Sequence, residues 1–466
     1  MAEAGPVCAQ RRSQARLRAH LLAQLVCLGQ HTVTGLLTTT GQQQQDWSAA
    51  YRLYAADRVD PQPLFTAVRR QIETAGAADQ PLVVAVDDSL LRKRGRQIPG
   101  TAWRVDPLGA PFQVSFVWAQ RVLQLAAVWP EGDDGAARTV PIDFTQAPSL
   151  PRPRRTASAA AWATYRKQCH QTNINCQAVR RIEQLQHQRH AEGALRPLWL
   201  TVDGRFTNRT FLKKLSPEVV TIGRIRGDAR LYQAVEPAIP TTKGGRPRYY
   251  GRALPTPEQL RQDPMIPWQT VRAYAAGRQH DFRLKVLRPV RWRGTGAKRA
   301  LQLVVIAPLG YRLNRHSRVL YRKPAYLICT DPTVAVAQLL QAYLWRWGIE
   351  VNFRDEKTLL GVGQARVRNP HSVQNVPATA VAAYAMLLWA AIRADAPTPL
   401  PPPAWQRPRS DRHRTCATLI NQLRHELWAT ALRPGFDSFS SPESSTLKPQ
   451  KPQPDLGSAL FYAIAG

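Results

Sequence analysis

The stretch "YLWRWGIEVNFRDEK", residues 343–357, sets a carboxylate among cations in an otherwise apolar segment. At about 100° per residue, Tyr343, Arg346, Glu350, Arg354 and Lys357 share one face of a helix, with Trp345, Ile349 and Phe353 forming an apolar stripe beside it. Taken alone, the face reads as a salt-bridged surface, because Arg346–Glu350 and Glu350–Arg354 are both i,i+4 pairs.

Two further carboxylate positions change that reading. "PLVVAVDDS" (81–89) is a short apolar run closed by Asp87 and Asp88, and "RPLWLTVDGRFTN" (196–208) is a second run closed by Asp203. Both runs read as buried strands, and a strand end holds a side chain rigidly at the rim of a sheet, where function concentrates. Carboxylate oxygens bind Mg²⁺, and two such ions about 3.5–4 Å apart stabilise the attacking and leaving oxygens of phosphodiester chemistry. Two aspartates from a sheet and a glutamate from a helix could build such a site. Each aspartate alone suits a turn or a helix cap equally well.

The elements that must position these groups follow from periodicity. Residues 11–36 carry Leu17, Leu21, Leu22, Leu25 and Leu28 at helical spacing, and another helix is expected near Asp46. Short helices with basic flanks fit either a small helix-turn-helix-like module or a plain bundle. After 81, "FQVSFVWAQRV" and "LQLAAVWP" read as two strands, residues 157–193 as polar helix and "VVTIGRIRG" as another strand. The segments "DFRLKVLRPVRWRG", "LQLVVIAP" and "RVLYRKPAYLICTD" form a β-rich stretch ahead of a helix expected over 333–360. "AVAAYAMLLWAAIRA" (380–394) reads as a core helix, and 395–414 as a Pro-rich linker before a last helix and tail. The pattern predicts a mixed α/β sheet.

Composition narrows the partner. Lys and Arg number 64 against 32 Asp and Glu, a formal charge of +32 over 466 residues, with pI near 10.9. Such a charge repels itself in a compact chain, so a polyanion is the expected partner, and its spread along the whole length favours a long nucleic-acid footprint. No run of about 18–20 apolar residues stands out as a membrane span. The first twenty residues have no apolar core after their charges, so no secretory signal is expected. Cys8, Cys27, Cys169, Cys176, Cys329 and Cys416 include no CxxC pair, and the spacing of "CHQTNINC" does not suit a common zinc site. Reduced cysteines and a cytoplasmic, nucleoid-associated location are the expectation.

Tyr343, Arg346, Glu350 and Lys357 match Y-x2-R-x3-E-x6-K, the signature of a large group of bacterial insertion-sequence transposases with a DDE triad. "TVDGRFTN" resembles that family's second-aspartate strand, "VDDSLLRKRG" its first and "IGRIRGDARLY" the strand that follows, a resemblance over roughly residues 46–370. It implies a ribonuclease H-like α/β fold, a mixed sheet with flanking helices interrupted by a β-rich insertion, plus an N-terminal helical DNA-binding region. The corresponding divisions are 1–78 (N-terminal region), 79–235 (catalytic, first part), 236–325 (insertion), 326–395 (catalytic, second part) and 396–466 (linker, helix and tail).

The resemblance also implies roles. Asp87, Asp203 and Glu350 would hold two Mg²⁺ ions, or Mn²⁺ in their place, with Asp88 as the alternative first aspartate. Arg346 and Lys357 would contact phosphates at the element end, with Arg354 beside them, and Tyr343 would position a phosphate or stack on a base. Trp268 and Trp292, among arginines in the insertion, are candidates to stack on a flipped base. Arg246 and Arg248, in Gly245-Arg246-Pro247-Arg248, look like a hook for the narrow minor groove of A·T-rich DNA, and "RKRG" (92–95) is a candidate phosphate contact. The expected partners are double-stranded DNA, as element ends and target, and a second copy of the chain in a homodimer assembled on DNA, with no membrane. The activity implied is cleavage at element ends and joining of the 3′ hydroxyls to target DNA. The alternatives are a transposase-derived DNA-binding protein without catalysis, which would have lost a carboxylate, and a stand-alone nuclease of the same fold.

Overall fold

The computed structural model describes residues 7–44, 46–56, 58–110, 112–235, 249–296, 299–314, 316–394, 405 and 414–437. Arg246, Arg248 and most of the Pro-rich linker lie outside the described residues. In chain order the elements are α1 (Arg11–Val26), α2 (Val33–Thr39), α3 (Ser48–Ala55), α4 (Gln62–Ala75), β1 (Leu82–Arg92), β2 (Thr101–Val105), β3 (Phe116–Pro130) and β4 (Ala137–Gln146). They continue with α5 (Ala159–Thr172), α6 (Ile174–Ala191), β5 (Leu198–Val202), α7 (Arg209–Leu212), β6 (Val220–Arg224), β7 (Leu231–Ala234), β8 (Tyr250–Ala253) and α8 (Pro257–Gln262). The remainder are β9 (Gln269–Ala275), β10 (Arg278–Trp292), β11 (Leu301–Ile306), β12 (Gly310–Tyr311), β13 (Leu320–Tyr321), β14 (Ala325–Cys329), α9 (Val336–Trp345), α10 (Trp347–Thr358), α11 (Pro370–Arg393) and α12 (Cys416–Asp437).

The chain divides into two compact units. One takes its described residues from Met1–Val68, Lys93–Pro99 and Phe353–Gly466, and the other from Arg69–Arg92 and Gly100–Asn352. In the first, α1 packs on α2, α3, α11 and α12. Leu17, Leu21 and Leu25, spaced by four, bury one face of α1, and Val381, Ala385 and Leu388 bury part of α11. Arg424 on α12 is fully buried and donates to the carbonyls of Val26 (3.3 Å) and Cys27 (2.9 Å), acceptors left open at the end of α1. The N-terminal helices therefore share a core with helices from the C-terminal part, rather than closing on themselves at residue 78. Contrary to the sequence expectation, α11 is long and apolar enough to cross a membrane by length and composition, and 72% of its apolar window is buried inside the protein.

The second unit is built on a mixed sheet with flanking helices. Among the described residues its order is β2-β3-β1-β5-β6-β14-β11-β10-β7-β8, with β4 on β3 and β9 on β10. The strand β1 runs antiparallel to β3 and parallel to β5, which runs parallel to β6. The centre of β1, Val83 to Val86, and all of β5 are buried, as expected of parallel strands covered on both faces. The helix α6, capped by the Asn173 side chain, carries Ile174, Ala178, Ile182 and Leu185 on its buried side. This architecture is compatible with a ribonuclease H-like fold.

Three expectations are corrected. The two strands read from 112–130 are one, β3, because nothing between Val122 and Leu123 breaks the pairing with β1; Phe112 and Val114 lie outside it and are exposed. The β-rich stretch expected as an insertion over 236–325 does not stand apart from the sheet: its strands β11, β10 and β8 continue that sheet beyond β6, together with β14 and β7 at its two borders. The helix expected over 333–360 breaks at Arg346, where Arg346 N–H bonds Tyr343 O (3.2 Å) and Ile349 N–H bonds Arg346 O (3.1 Å), a three-residue spacing that tightens the backbone. The next turn lies so close to β4 that a Cβ on Gly348 would collide with the Thr139 side chain.

Candidate active site

Parallel pairing aligns the candidate side chains. The last β1–β5 pair is Val86↔Val202 and the last β5–β6 pair is Val202↔Gly223, so Asp87, Asp203 and Arg224 come next on three neighbouring strands. The carboxyl ends of parallel strands are where open α/β sheets gather ligand-binding groups. Asp203 leaves its strand there, as expected. Asp87 does not: β1 continues to Arg92 on its antiparallel pairing with β3, and Asp87 stands where only the parallel pairing stops.

The broken helix supplies the opposite wall. Arg346 reaches Asp87 Oδ2 through Nη1 (3.2 Å) and Glu350 Oε1 through Nη2 (2.8 Å), so one guanidinium joins two carboxylates. Its side chain is 12% exposed, that of Asp87 16% and that of Glu350 35%, so these bonds are shielded from water more on the Asp87 side. The guanidinium also sits 5.9 Å from the centre of the Tyr343 ring. Burial pushes the Asp87 carboxyl up to about 7, Arg346 opposes that rise, and the charges of Asp203 and Asp88 add to it. Burial likewise raises the Tyr343 hydroxyl. Asp203 Oδ1 accepts from the N–H groups of Arg205 (2.9 Å) and Phe206 (3.2 Å), so it also closes the turn after β5.

Successive side chains of a strand point to opposite faces. Asp88 therefore faces away from Asp87, where Arg205 Nη1 pairs with it at 3.0 Å. The geometry groups Asp87, and not Asp88, with Glu350 through Arg346.

A cleft of about 980 Å³ opens beside Asp203 and Arg346, with Arg224, Arg226, Trp292 and Tyr343 in its walls. A Cβ on Gly294 would stand 2.8 Å from the Trp292 ring, so glycine lets the following turn fold over the indole. Trp268 is not in this cleft. It lies under Lys285 Nζ (4.6 Å) and Arg283 (5.3 Å), and Lys285 donates to the carbonyls of Leu260, Arg261 and Asp263 at the end of α8. Arg354 is exposed and pairs with Asp355 at 3.0 Å. Lys357 lies on α10, two turns beyond Glu350, its ammonium 5.8 Å from the Phe353 ring. Within "RKRG", Arg92 pairs with Asp106 (2.7 Å), Lys93 donates to the carbonyls of Gly363 and Ala365, and Arg94 is exposed.

Several groups at this site carry little or no signal in the sequence. Arg224 and Arg226 lie within a segment read only as a strand; the signal was an arginine at the carboxyl end of a third parallel strand. Gln124 stands directly across from Asp87 on β3, is fully buried, and both its amide atoms lack a hydrogen-bond partner. Nothing in the sequence marks it.

The donor set fits a hard cation in kind. Asp87 and Asp203 offer carboxylate oxygens side by side, and their mutual repulsion is what a divalent ion would relieve. Glu350 is bound to Arg346 instead, and among the described residues no group of three or more His, Cys, Asp or Glu side chains is arranged to hold a metal.

A comparison with curated proteins finds no match for the chain. Residues 7–299, more than half of its length, match the family described as DDE superfamily endonuclease; Asp87 and Asp203 fall within the match and Glu350 lies beyond it. The chain belongs to that family, transposase-like nucleases whose substrate is DNA and which generally use divalent metal ions.

Proposed function

We propose that this protein is an insertion-sequence transposase, which binds the ends of its element, cleaves them by Mg²⁺-dependent phosphodiester hydrolysis and joins the 3′ hydroxyls to target DNA. The observation that carries the reading is the Arg346 bridge between Asp87 and Glu350, with Asp203 next in register on the adjoining strand. A structural salt bridge needs two partners, whereas here a third carboxylate and a basic cleft meet it. The match of Tyr343, Arg346, Glu350 and Lys357 to the four-residue signature points the same way.

In this reading Asp87, Asp203 and Glu350 hold the metal ions. When bound, the ions activate the attacking water or 3′ hydroxyl and stabilise the leaving oxygen. The protein's own part is orientation and charge. Arg346 keeps Asp87 and Glu350 from repelling each other before substrate arrives. A backbone phosphate entering the cleft competes for the same guanidinium fork and releases Glu350 toward the two aspartates. In the same reading Arg224 and Lys357 contact DNA phosphates, and Trp292, in the wall of the cleft, stacks on an unpaired base. Two chains act together on paired ends.

The test is to incubate the protein with its own element's ends and Mg²⁺ and map the products. Nicks at the element boundary, abolished in Asp87→Ala, Asp203→Ala and Glu350→Ala while end binding persists, are expected. If Asp88→Ala abolishes cleavage and Asp87→Ala does not, the first ligand is misassigned. If none of these variants loses cleavage, the triad is not the active site.

A further inference from the structure

The face of the sheet turned away from Asp87 carries a second cluster that the catalytic reading does not use. Register puts Asp88 of β1, Arg121 of β3 and Arg104 of β2 on that one face, through Leu90↔Arg121 and Arg104↔Val117. Arg205 reaches the same place from the turn after β5. Three guanidiniums thus surround one carboxylate, an excess of two positive charges. The next carboxylates along are engaged elsewhere, Asp106 with Arg92 and Asp143 with Arg181.

Two features show that the cluster is not closed by the protein alone. Arg104 Nε and Nη2 are buried and have no hydrogen-bond partner, a condition that ordinarily calls for a water, an ion or a ligand. Ser149, which is exposed, accepts at Oγ from Arg104 Nη1 (3.1 Å) and from Arg121 Nη2 (3.3 Å). A hydroxyl that accepts twice has its own hydrogen left to donate, so Ser149 adds a free donor among these cations for an incoming acceptor. Burial first, and then the charge of Arg104 beside it, hold the Arg121 guanidinium down to about 10 against the opposing pull of Asp88, so an added anion would relieve the repulsion between the two arginines.

We propose that Arg104, Arg121, Arg205 and Ser149 form a phosphate-binding subsite that holds a phosphodiester of bound DNA on the side of β1 opposite Asp87. The proposal rests on DNA being the substrate. Forked guanidiniums and one hydroxyl suit the tetrahedral array of phosphate oxygens better than a lone carboxylate, and Asp88 orients Arg205 within the cluster. A strand anchored there crosses the carboxyl edge of β1 and β5, so the subsite would set where the scissile phosphate stops over Asp87.

The experiment measures binding of a labelled element-end duplex without divalent ion against salt, for the full chain and for Arg104→Gln, Arg121→Gln, Ser149→Ala and Asp88→Asn. In parallel, thermal protection by inorganic phosphate is measured on the same proteins. Each arginine variant is expected to lower the salt slope by about 0.9 and weaken binding severalfold. Ser149→Ala, at an exposed position that does not threaten folding, should weaken binding without changing the slope. Asp88→Asn should tighten it, because the competing negative charge is gone; a purely structural cluster would show no tightening. Phosphate protection should be lost in the arginine variants. Duplex binding with unchanged slopes and unchanged phosphate protection in both arginine variants would overturn the subsite and leave the transposase reading standing. Phosphate protection without any duplex binding by the unaltered chain would overturn the DNA assignment and the transposase reading together. If either arginine variant fails to fold, Ser149→Ala and Asp88→Asn decide: no weakening in the first and no tightening in the second would overturn the proposal.

Discussion

Replacing Asp87 by Asn removes the most strained charge in the site at nearly constant shape. Its carboxyl is raised from 3.8 to about 7, chiefly by burial, with Arg346 opposing. At 1.36 kcal/mol for each pH unit, the ionised form costs on the order of 4 kcal/mol relative to the neutral one. Because the folded-state pKa is the higher, the folded chain keeps a proton between pH 4 and 7 that the unfolded chain has released. The stabilising contribution is therefore intact below about pH 4 and is lost as pH rises through 7. Asparagine cannot ionise, so the variant should match the parent at pH 4 and exceed it at pH 8.

The attraction of Arg346 is already counted in that value, and relaxation and water entry around the site reduce the burial cost that remains. A net gain of about 1–2 kcal/mol remains after that reduction, or a melting temperature higher by roughly 2–8 °C for a unit of this size. Melts at pH 4 and pH 8, with and without Mg²⁺, test it. Added Mg²⁺ should raise the melting temperature of the parent at pH 8 and leave the variant's unchanged, since in the proposed site only the parent keeps the carboxylate that would hold the ion. The variant should not cleave DNA. Equal gains at both pH values, or a less stable variant at pH 8, would refute the account of Asp87 as a charge held for a cation.

Arg346→Lys keeps the charge and loses the fork, so only one of Asp87 and Glu350 stays paired; cleavage is expected to fall by about 10²-fold, the size of losing one aimed donor, in a single-turnover assay. Trp292→Ala should weaken binding to DNA with an unpaired end by about 1–3 kcal/mol, read by titration, with little effect on melting. Trp268→Ala should do the reverse, because that ring packs under Lys285 and Arg283; unchanged melting with lost end binding would exchange the two roles. Lys357→Ala should lower the salt slope of end binding by about 1 and shift stability by no more than about 0.5 kcal/mol. A large drop in melting temperature with unchanged binding would make that lysine structural.

The parts of this design that were legible in the sequence are local ones. The run Leu82–Val86 is apolar without alternation, and so, apart from Thr201, is Leu198–Val202, which marks buried parallel strands; both are followed by aspartate. Ile349 and Phe353 are buried where their spacing places them. What was not legible depends on partners far along the chain. The end of β1 is set by β3, whose pairing continues to Arg92↔Ala119, so an apolar run that stops at Val86 understates the strand by six residues. Just after the break at Arg346, Gly348 comes so close to Thr139 that a side chain would not fit, a contact that no pattern within the helix reports. Gln124 looks like one polar residue in an apolar strand, and only the register puts it opposite Asp87.

Arg346 shows why two readings of one helix face need not compete. The i,i+4 pair with Glu350 exists, as a salt-bridged helix requires. The same guanidinium also reaches Asp87, 259 positions earlier in the chain, which such a helix does not require. Without DNA or metal, bringing Asp87, Asp203 and Glu350 into one site would raise the energy of the fold by mutual repulsion, and a single cation shared by two of them offsets it. In the proposed cycle that cation is exchanged for metal ions only when a phosphate takes the fork. The salt bridge is then the resting form of the active site. A double-mutant cycle on Arg346 and Glu350 should give a coupling energy of about 1 kcal/mol or more in the free protein that shrinks when element-end DNA and Mg²⁺ are added. Coupling that stays the same on binding would mean that the bridge is a permanent strut, and the exchange would have to be abandoned.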